Sequence, residues 1–166
     1  MLSLITSTSY SIIVNRSPLG TFTPSRGQRQ GDPLSPFLFI LMMERLGRAI
    51  KHAKIVGNIR GIHLSHNGEA LTHQQFVDYT MLQGIPTVKE ALSYKQIPND
   101  FAMASGLEAI LSKSKIFFFN TNIVIQRNIS RILGFQRDSP PLKYLGVPLT
   151  EKLLHNSIWE PMISKL

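Results

Sequence analysis

S-R-G-Q-R-Q-G-D-P-L-S-P, residues 25–36, stands immediately before an apolar run at residues 37–43. This order predicts a rigid loop followed by a buried helix. Asp32 is a favourable N-cap, and Pro33 lacks the N–H that the first helical turn leaves unpaired. We therefore expect a long helix that begins near Pro33. Because its first half is apolar on nearly every side, we expect that end to be buried.

The loop that precedes this helix combines glycines, cations and an amide. Gly27 and Gly31 allow backbone conformations that are closed to other residues, or the close approach of a ligand. Arg26, Arg29 and Gln30 stand where a helix N-terminus exposes backbone N–H groups, a position that favours phosphate. The alternative interpretation of the same residues is a well-capped helix behind a solvated loop.

The composition is that of a folded, basic chain. The 166 residues are 43% hydrophobic and 17% charged, and the formal net charge is +8. Residues 1–60 hold eight Lys or Arg against two acids, whereas residues 61–166 hold ten against eight. The basic surplus therefore lies around the loop, as it would on a face that binds a polyanion. The chain has no cysteine, which excludes disulfides and thiolate metal sites.

Membrane and targeting signals are weak. The apolar run at residues 37–43 ends at Glu44, whereas a helix needs about 20 apolar residues to span a bilayer. Residues 1–31 contain no acid, several Ser and Thr, and three Arg, which imitates a transit peptide. The same stretch alternates like a strand and leads without a break into the loop, so we interpret it as part of the domain.

Short strands alternate with helices along the rest of the chain. Asn67-Gly68 is the strongest hairpin signal, Gly57 ends the long helix, and Pro98 weakens the second helix. The order of hairpin, helix, hairpin, helix and strand predicts an α+β fold of antiparallel hairpins packed with helices. Helices are predicted at residues 33–53, 86–104 and 123–133, and strands at residues 9–14, 21–23, 59–64, 69–77, 80–82, 115–119 and 144–147.

Five segments together resemble the reverse transcriptase of LINE-type, non-LTR retrotransposons of the plant type. They follow one another in the order and at the spacing of that family, from about residue 9 to residue 149. The resemblance implies a partial polymerase palm and fingers, an RNA-directed DNA polymerase activity, an RNA template and a DNA primer as partners, Mg²⁺ as cofactor, and a nuclear or cytoplasmic location. The segments are residues 10–20, 25–36, 76–79, 105–115 and 144–149.

The resemblance also shows what the chain lacks. The family carries F-A-D-D or a close variant in a tight hairpin, with both aspartates near the metals, and a third aspartate on an upstream strand. Here the hairpin reads Phe76-Val77-Asp78-Tyr79, so a neutral phenol replaces the second carboxylate. Residues 1–24 contain no acid, and the upstream strand has no counterpart. Asp78 is thus one of three expected metal carboxylates, whereas the polymerase reaction needs two metal ions.

Roles for the loop and the lysine also follow from the resemblance. Gln30 and Gly31 would line the nucleotide and template pocket. Arg26 and Arg29 would contact phosphates or make hydrogen bonds within the fold. Lys113 matches a lysine that lies near the leaving pyrophosphate, with a solvated lysine before a strand as the alternative interpretation.

Two further segments have implied positions. Phe76 would pack beneath the catalytic hairpin. Tyr144, Leu145 and Gly146 match a segment that lies near the primer end. The five histidines show no regular ligand spacing, so a chance cluster is favoured over a metal site.

We therefore interpret residues 1–166 as a single partial reverse transcriptase domain that lacks the upstream catalytic strand, with residues 150–166 beginning the following helical region. The first hypothesis is a fragment that does not polymerise DNA alone and does not bind Mg²⁺ productively. The second is a non-catalytic basic domain that binds RNA or an RNA–DNA hybrid. The third is an enzyme in which a partner chain supplies the missing carboxylate. An incomplete palm also exposes apolar surface, so low solubility is expected.

Overall fold

The computed structural model describes residues 9–24, 31–65 and 68–149. Helices and strands are mixed, which confirms the predicted α+β class. The helices are α1 (Ser35–Ile55), α2 (Val88–Ser105) and α3 (Ile123–Leu133), with a 3-10 turn at Leu111–Lys113. The strands are β1 (Tyr10–Val14), β2 (Ser17–Phe22), β3 (His73–Phe76), β4 (Tyr79–Leu82), β5 (Lys115–Phe117), β6 (Gln136–Asp138), β7 (Leu142–Tyr144) and β8 (Val147–Leu149).

The strands pair two by two. β1 with β2 and β3 with β4 form antiparallel hairpins, as the sequence predicts, and β7 with β8 form a third that was not predicted. β5 and β6 pair in parallel, and α3 forms the connection between them. We did not predict β6, because its sequence Q-R-D has neither apolar residues nor β-branched ones.

The start of α1 differs from the prediction. The helix begins at Ser35, and its N-cap is Leu34, which makes no side-chain cap. Asp32 instead caps the turn before the helix, since its Oδ1 accepts the N–H of Leu34 at 2.9 Å and its carbonyl oxygen accepts that of Ser35 at 3.1 Å. Pro33 therefore lies in this turn. Gly57 ends the helix as predicted, at a positive φ of 74°.

The buried end of α1 is also opposite to the prediction. Phe37, Ile40 and Leu41, in the first half, are 66%, 62% and 63% exposed. The buried residues are in the second half, where Leu46, Gly47, Ile50 and Ala53 face the rest of the protein. Apolar content alone misplaced the buried end, because burial requires a neighbour, and the buried α1 side chains that cluster with Tyr94 of α2 lie in the second half.

The core is small and lies between α1 and α2. Ile50 and Ile59 are its two fully buried side chains. Partly buried apolar residues from α1, β4, α2 and α3 surround this cluster. The buried members are Leu46, Ile50, Ala53, Ile59 and Tyr94, and the surrounding ones are Met43, Leu82, Ile97, Phe101 and Leu133.

The predicted strands at residues 59–64 and 69–77 are much shorter than expected. A single bridge joins Ile62 and Leu71, which exchange two backbone hydrogen bonds of 2.8 Å. Gly61 breaks the extended backbone with a φ of +75°, and a Cβ there would lie 2.5 Å from the carbonyl oxygen of Leu71. Asn67, the expected turn residue, lies outside the described residues.

Helix α2 is continuous, although Pro98 is expected to interrupt it. Thr87 caps its N-terminus by accepting the N–H of Glu90 at 3.3 Å, and Gly106 ends it at a φ of +74°. Ala91 and Tyr94 bury one side of the helix. Caps at both ends and tertiary packing therefore outweigh the backbone hydrogen bond that Pro98 removes. No helix in the described part of the chain is long and apolar enough to span a membrane.

A buried carboxylate joins α2 to the two segments beside it. Glu90 is 2% exposed, accepts the backbone N–H of Ile85 at 2.9 Å and pairs with Nε of Arg60 at 3.1 Å. Gly84 passes directly over this group. A Cβ on Gly84 would lie 2.6 Å from Oε2 of Glu90 and 2.7 Å from the ring of Tyr94.

We predict that Gly84→Ala destabilises the fold by about 1–3 kcal/mol, because the added methyl group displaces a buried, hydrogen-bonded carboxylate. Urea unfolding measures the change. Gly47→Ala is the matched control, since its Cβ would meet only the ends of the Gln75 and His73 side chains, at 3.2 and 3.3 Å. The control is expected to leave stability unchanged or to raise it by up to about 1 kcal/mol through helix propensity. Equal stability of Gly84→Ala and the original chain would contradict the argument.

Candidate functional site

The hairpin of β3 and β4 contains the segment that resembles the catalytic hairpin. His73 pairs with Leu82 at its open end, and Phe76 pairs with Tyr79 next to the turn. Val77 and Asp78 alone form the connection. The tight hairpin with Asp78 in its turn is therefore present, as the sequence predicts.

The two faces of this hairpin differ. His73 and Gln75 point towards α1, where both side chains lie close to Gly47. Because successive residues of a strand point to opposite faces, Phe76 and its partner Tyr79 point away from α1. Their side chains are 54% and 63% exposed. Phe76 is thus more than half exposed, and its packing beneath the hairpin stays a prediction.

Burial affects two groups on the inner face. Burial, and then the positive charge of Lys51, hold the pKa of His73 below its usual value. His73 is thereby favoured in its neutral form, and its Nδ1 lies 3.0 Å from the hydroxyl of Thr72. Nε2 of Gln75 is buried without a hydrogen-bond partner. The inner face of the hairpin thus carries polar groups that are only partly satisfied.

Asp78 and Tyr79 do not make up a site for a pair of metal ions. Asp78 is exposed at the turn, and the next side chain is a phenol rather than a carboxylate. Across the ranges 9–24, 31–65 and 68–149, no group of three or more His, Asp or Glu side chains could hold a metal ion. Two Mg²⁺ ions require several carboxylate oxygens, so these residues do not fit the cofactor that the resemblance implies.

Most other described acids are engaged elsewhere. Their carboxylates accept hydrogen bonds or form ion pairs within their own neighbourhoods, so none of these contacts brings a second carboxylate to Asp78. The pairs are Asp32 with the N–H of Leu34, Glu44 with Arg48, Glu69 with Lys54, Glu90 with Arg60, Asp100 with Gln96, and Asp138 with Lys115.

Lys113 lies at the end of the 3-10 turn before β5. Its backbone N–H donates to the carbonyl oxygen of Ile110 at 3.0 Å, and its side chain is exposed. Among the described residues it forms no ion pair, whereas Lys115 is paired with Asp138. Lys113 is therefore not brought to Asp78 by any described contact, and its role near pyrophosphate stays a prediction.

The segment expected near the primer end forms a hairpin turn. The predicted strand at residues 144–147 is wrong, because Leu145 and Gly146 connect β7 to β8 at φ values of +51° and +87°. Tyr144 and Val147 are the flanking pair. The Y-L-G-V motif is thus a tight turn, in which glycine supplies the left-handed conformation that other residues adopt at a cost.

The glycine-rich loop is described only at its end. Arg26, Arg29 and Gln30 lie outside the described residues. Gly31 is exposed and has a φ of +84°, so the expectation that it adopts a conformation closed to other residues is confirmed. Its contact with a nucleotide or template stays a prediction.

The sequence patterns described above do not single out a row of basic side chains on α1. Arg45, Arg48, Lys51 and His52 are exposed on the side of α1 that faces away from the core. The spacing of three and four residues between Arg45, Arg48 and His52 is the signal that could have identified one face.

Ion pairs border this face of α1. Arg48 pairs with Glu44 at 3.0 Å, and Lys54 pairs with Glu69 at 2.8 Å while also donating to the carbonyl oxygen of Ala70. These hydrogen bonds from Arg48 and Lys54 hold the pKa of Glu44 and of Glu69 below the usual value. Both acids are therefore ionised near neutral pH.

Comparison with known proteins gives two matches. The model of the family described as reverse transcriptase (RNA-dependent DNA polymerase) matches residues 2–149. An uncharacterized mitochondrial protein of Arabidopsis thaliana is 48% identical over 68 residues, which cover 41% of this chain and 56% of that protein. The chain thus spans little more than half the length of the curated relative it matches.

Val77 carries backbone strain at the turn of the β3–β4 hairpin. Its φ is +51°, a conformation that is costly for a β-branched residue. We predict that Val77→Gly stabilises the protein by about 1 kcal/mol, measured as a higher urea midpoint at an unchanged slope. Val14→Gly is the control, because Val14 is an exposed hairpin valine without a positive φ. The control should lose about 0.5–1 kcal/mol. If both variants lose stability, the argument that Val77 is strained is refuted.

Proposed function

This chain belongs to the reverse transcriptase (RNA-dependent DNA polymerase) family, and from that premise we propose that it is a piece of a non-LTR retrotransposon polymerase that does not polymerise DNA by itself. The LINE-type assignment is supported by the sequence motifs of residues 25–36 and 144–149. The family resemblance favours the nucleus or the cytoplasm as its location.

The observation that carries the proposal is Tyr79 beside Asp78 in the hairpin turn. In a polymerase, carboxylates hold the metal ions that stabilise the attacking and leaving oxygens. The exposed phenol of Tyr79 cannot replace an anionic oxygen ligand at neutral pH. Among the other described acids, Glu44, Glu69, Glu90 and Asp138 pair with cations, and no described contact brings a second carboxylate to Asp78. Asp78 therefore remains as a single carboxylate, too few for the reaction.

We predict that the purified chain gives no template-dependent extension of a DNA primer on an RNA template, with either Mg²⁺ or Mn²⁺. Tyr79→Asp restores the second carboxylate of the turn and is also expected to be inactive, because residues 1–24 supply no acid for the third position. A known active reverse transcriptase on the same primer and template is the positive control. Incorporation of nucleotides by the unmodified chain above the no-enzyme background would refute the proposal.

We infer as a second candidate function that the chain binds RNA or an RNA–DNA hybrid without catalysis. The supporting observation is the charge, +8 overall, with the surplus in residues 1–60. A phosphate backbone is attracted to such a surface, and binding then releases counterions. This function requires no metal ion and so is compatible with the incomplete hairpin.

We predict salt-dependent binding of the chain to a labelled RNA–DNA hybrid. Each contact with a phosphate should add about −0.7 to −0.9 to the slope of log affinity against log salt, so several contacts give a slope steeper than about −3. A filter-binding titration at several salt concentrations measures it. A basic protein of similar charge and no nucleic-acid function serves as the control. A slope no steeper than that of the control would show an inert remnant instead.

A further inference from the structure

We propose that the α1 basic face, formed by Arg45, Arg48, Lys51 and His52, binds the phosphate backbone of a nucleic acid strand. The inference rests on the second candidate function above and assigns it a surface. The family resemblance implies nucleotide and template contacts for the loop before α1. The α1 basic face lies instead in the C-terminal half of the helix. The whole helix is 21 residues and about 30 Å long.

The position of the α1 basic face follows from the packing of the helix. Leu46 and Ile50 are buried against the core. Arg45, Arg48 and His52 are three and four residues apart, so they form one row on the opposite, exposed side. The row is about 10 Å long at 1.5 Å per residue, the length of about three base steps of a duplex strand.

The charges of this face are available to a ligand. Arg45 and Lys51 are exposed and form no ion pair within the described ranges. Arg48 pairs with Glu44 through Nε only, and both side chains are more than half exposed. An exposed pair of this kind is weak, and a guanidinium carries five N–H donors, so Arg48 can also contact a phosphate.

Phosphate is the ligand group that suits these side chains. Arginine binds phosphate with two parallel hydrogen bonds, and lysine binds it as a point charge. Lys54 does not belong to the face, because its ammonium group is held by Glu69 and by the carbonyl oxygen of Ala70. Two acids oppose the approach of a phosphate, namely Glu44 on α1 itself and Glu69, which pairs with Lys54 beside the face.

The experiment compares two triple variants of the whole chain that lose the same charge. Arg45→Gln/Arg48→Gln/Lys51→Gln removes the α1 basic face. Lys95→Gln/Arg127→Gln/Arg131→Gln is the control, because it removes three exposed cations from α2 and α3. The probe is a labelled oligouridylate RNA, and anisotropy titrations at several salt concentrations give the affinity and the salt slope. Circular dichroism verifies that both variants keep their helices.

The first variant is expected to bind at least about tenfold more weakly, with a salt slope reduced by about two, because three phosphate contacts are lost. The control is expected to keep the slope of the unmodified chain. Equal losses in both variants would overturn the proposal, because the charge would then act without a defined surface. Failure of the unmodified chain to bind at all would instead refute the second candidate function.

A single substitution gives an independent result in the opposite direction. Glu44→Gln removes the acid beside Arg48, so we expect tighter RNA binding, by about twofold or more. Unchanged or weaker binding would contradict the assignment of this face. Competition by polyglutamate as effective as that by unlabelled RNA would also overturn it, in favour of an acidic protein partner.

Discussion

The hydroxyl of Tyr94 anchors the open end of the β3–β4 hairpin to α2. It lies within hydrogen-bond distance of the carbonyl oxygens of Thr72, just before β3, and Gln83, just after β4. Burial, together with the negative charge of Glu90, raises the pKa of Tyr94, so the hydroxyl stays protonated. Since the same ring packs in the core beside Ile50, the position of the hairpin turn depends on the contact between α1 and α2.

This arrangement separates a fixed end of the hairpin from an exposed one. The base is held by Tyr94, by a 2.8 Å backbone bond from Gln83 to Thr72, and by the approach of β3 to Gly47. The turn, in contrast, carries exposed Phe76 and Tyr79 and a valine in the left-handed region. The hairpin is therefore held at its base by contacts with α1 and α2, while its tip stays exposed to solvent.

Sequence patterns predicted those elements that local chemistry determines. Helix α3 begins at Ile123 and ends at Leu133 as expected, because Asn122 caps one end and Gly134 the other. The patterns failed where the outcome depends on distant partners. The exposure of the first half of α1 and the parallel pairing of β6 depend on which elements pack against each other, and local sequence does not specify that. The outward position of Phe76 also depends on which face of β3 meets α1, and no local signal gives that.

The positions of the described acids affect the charge both of the β3–β4 hairpin turn and of the remaining surface. Glu44, Glu69 and Asp138 each pair with a cation at an exposed position, so these three acids mainly neutralise part of the basic surplus. The family that the sequence resembles carries a second aspartate where this chain has Tyr79, so this turn holds one carboxylate instead of two. A turn with one carboxylate has less capacity for divalent metals and repels phosphate less. The proposed absence of catalysis and the proposed binding of nucleic acid are therefore compatible with each other.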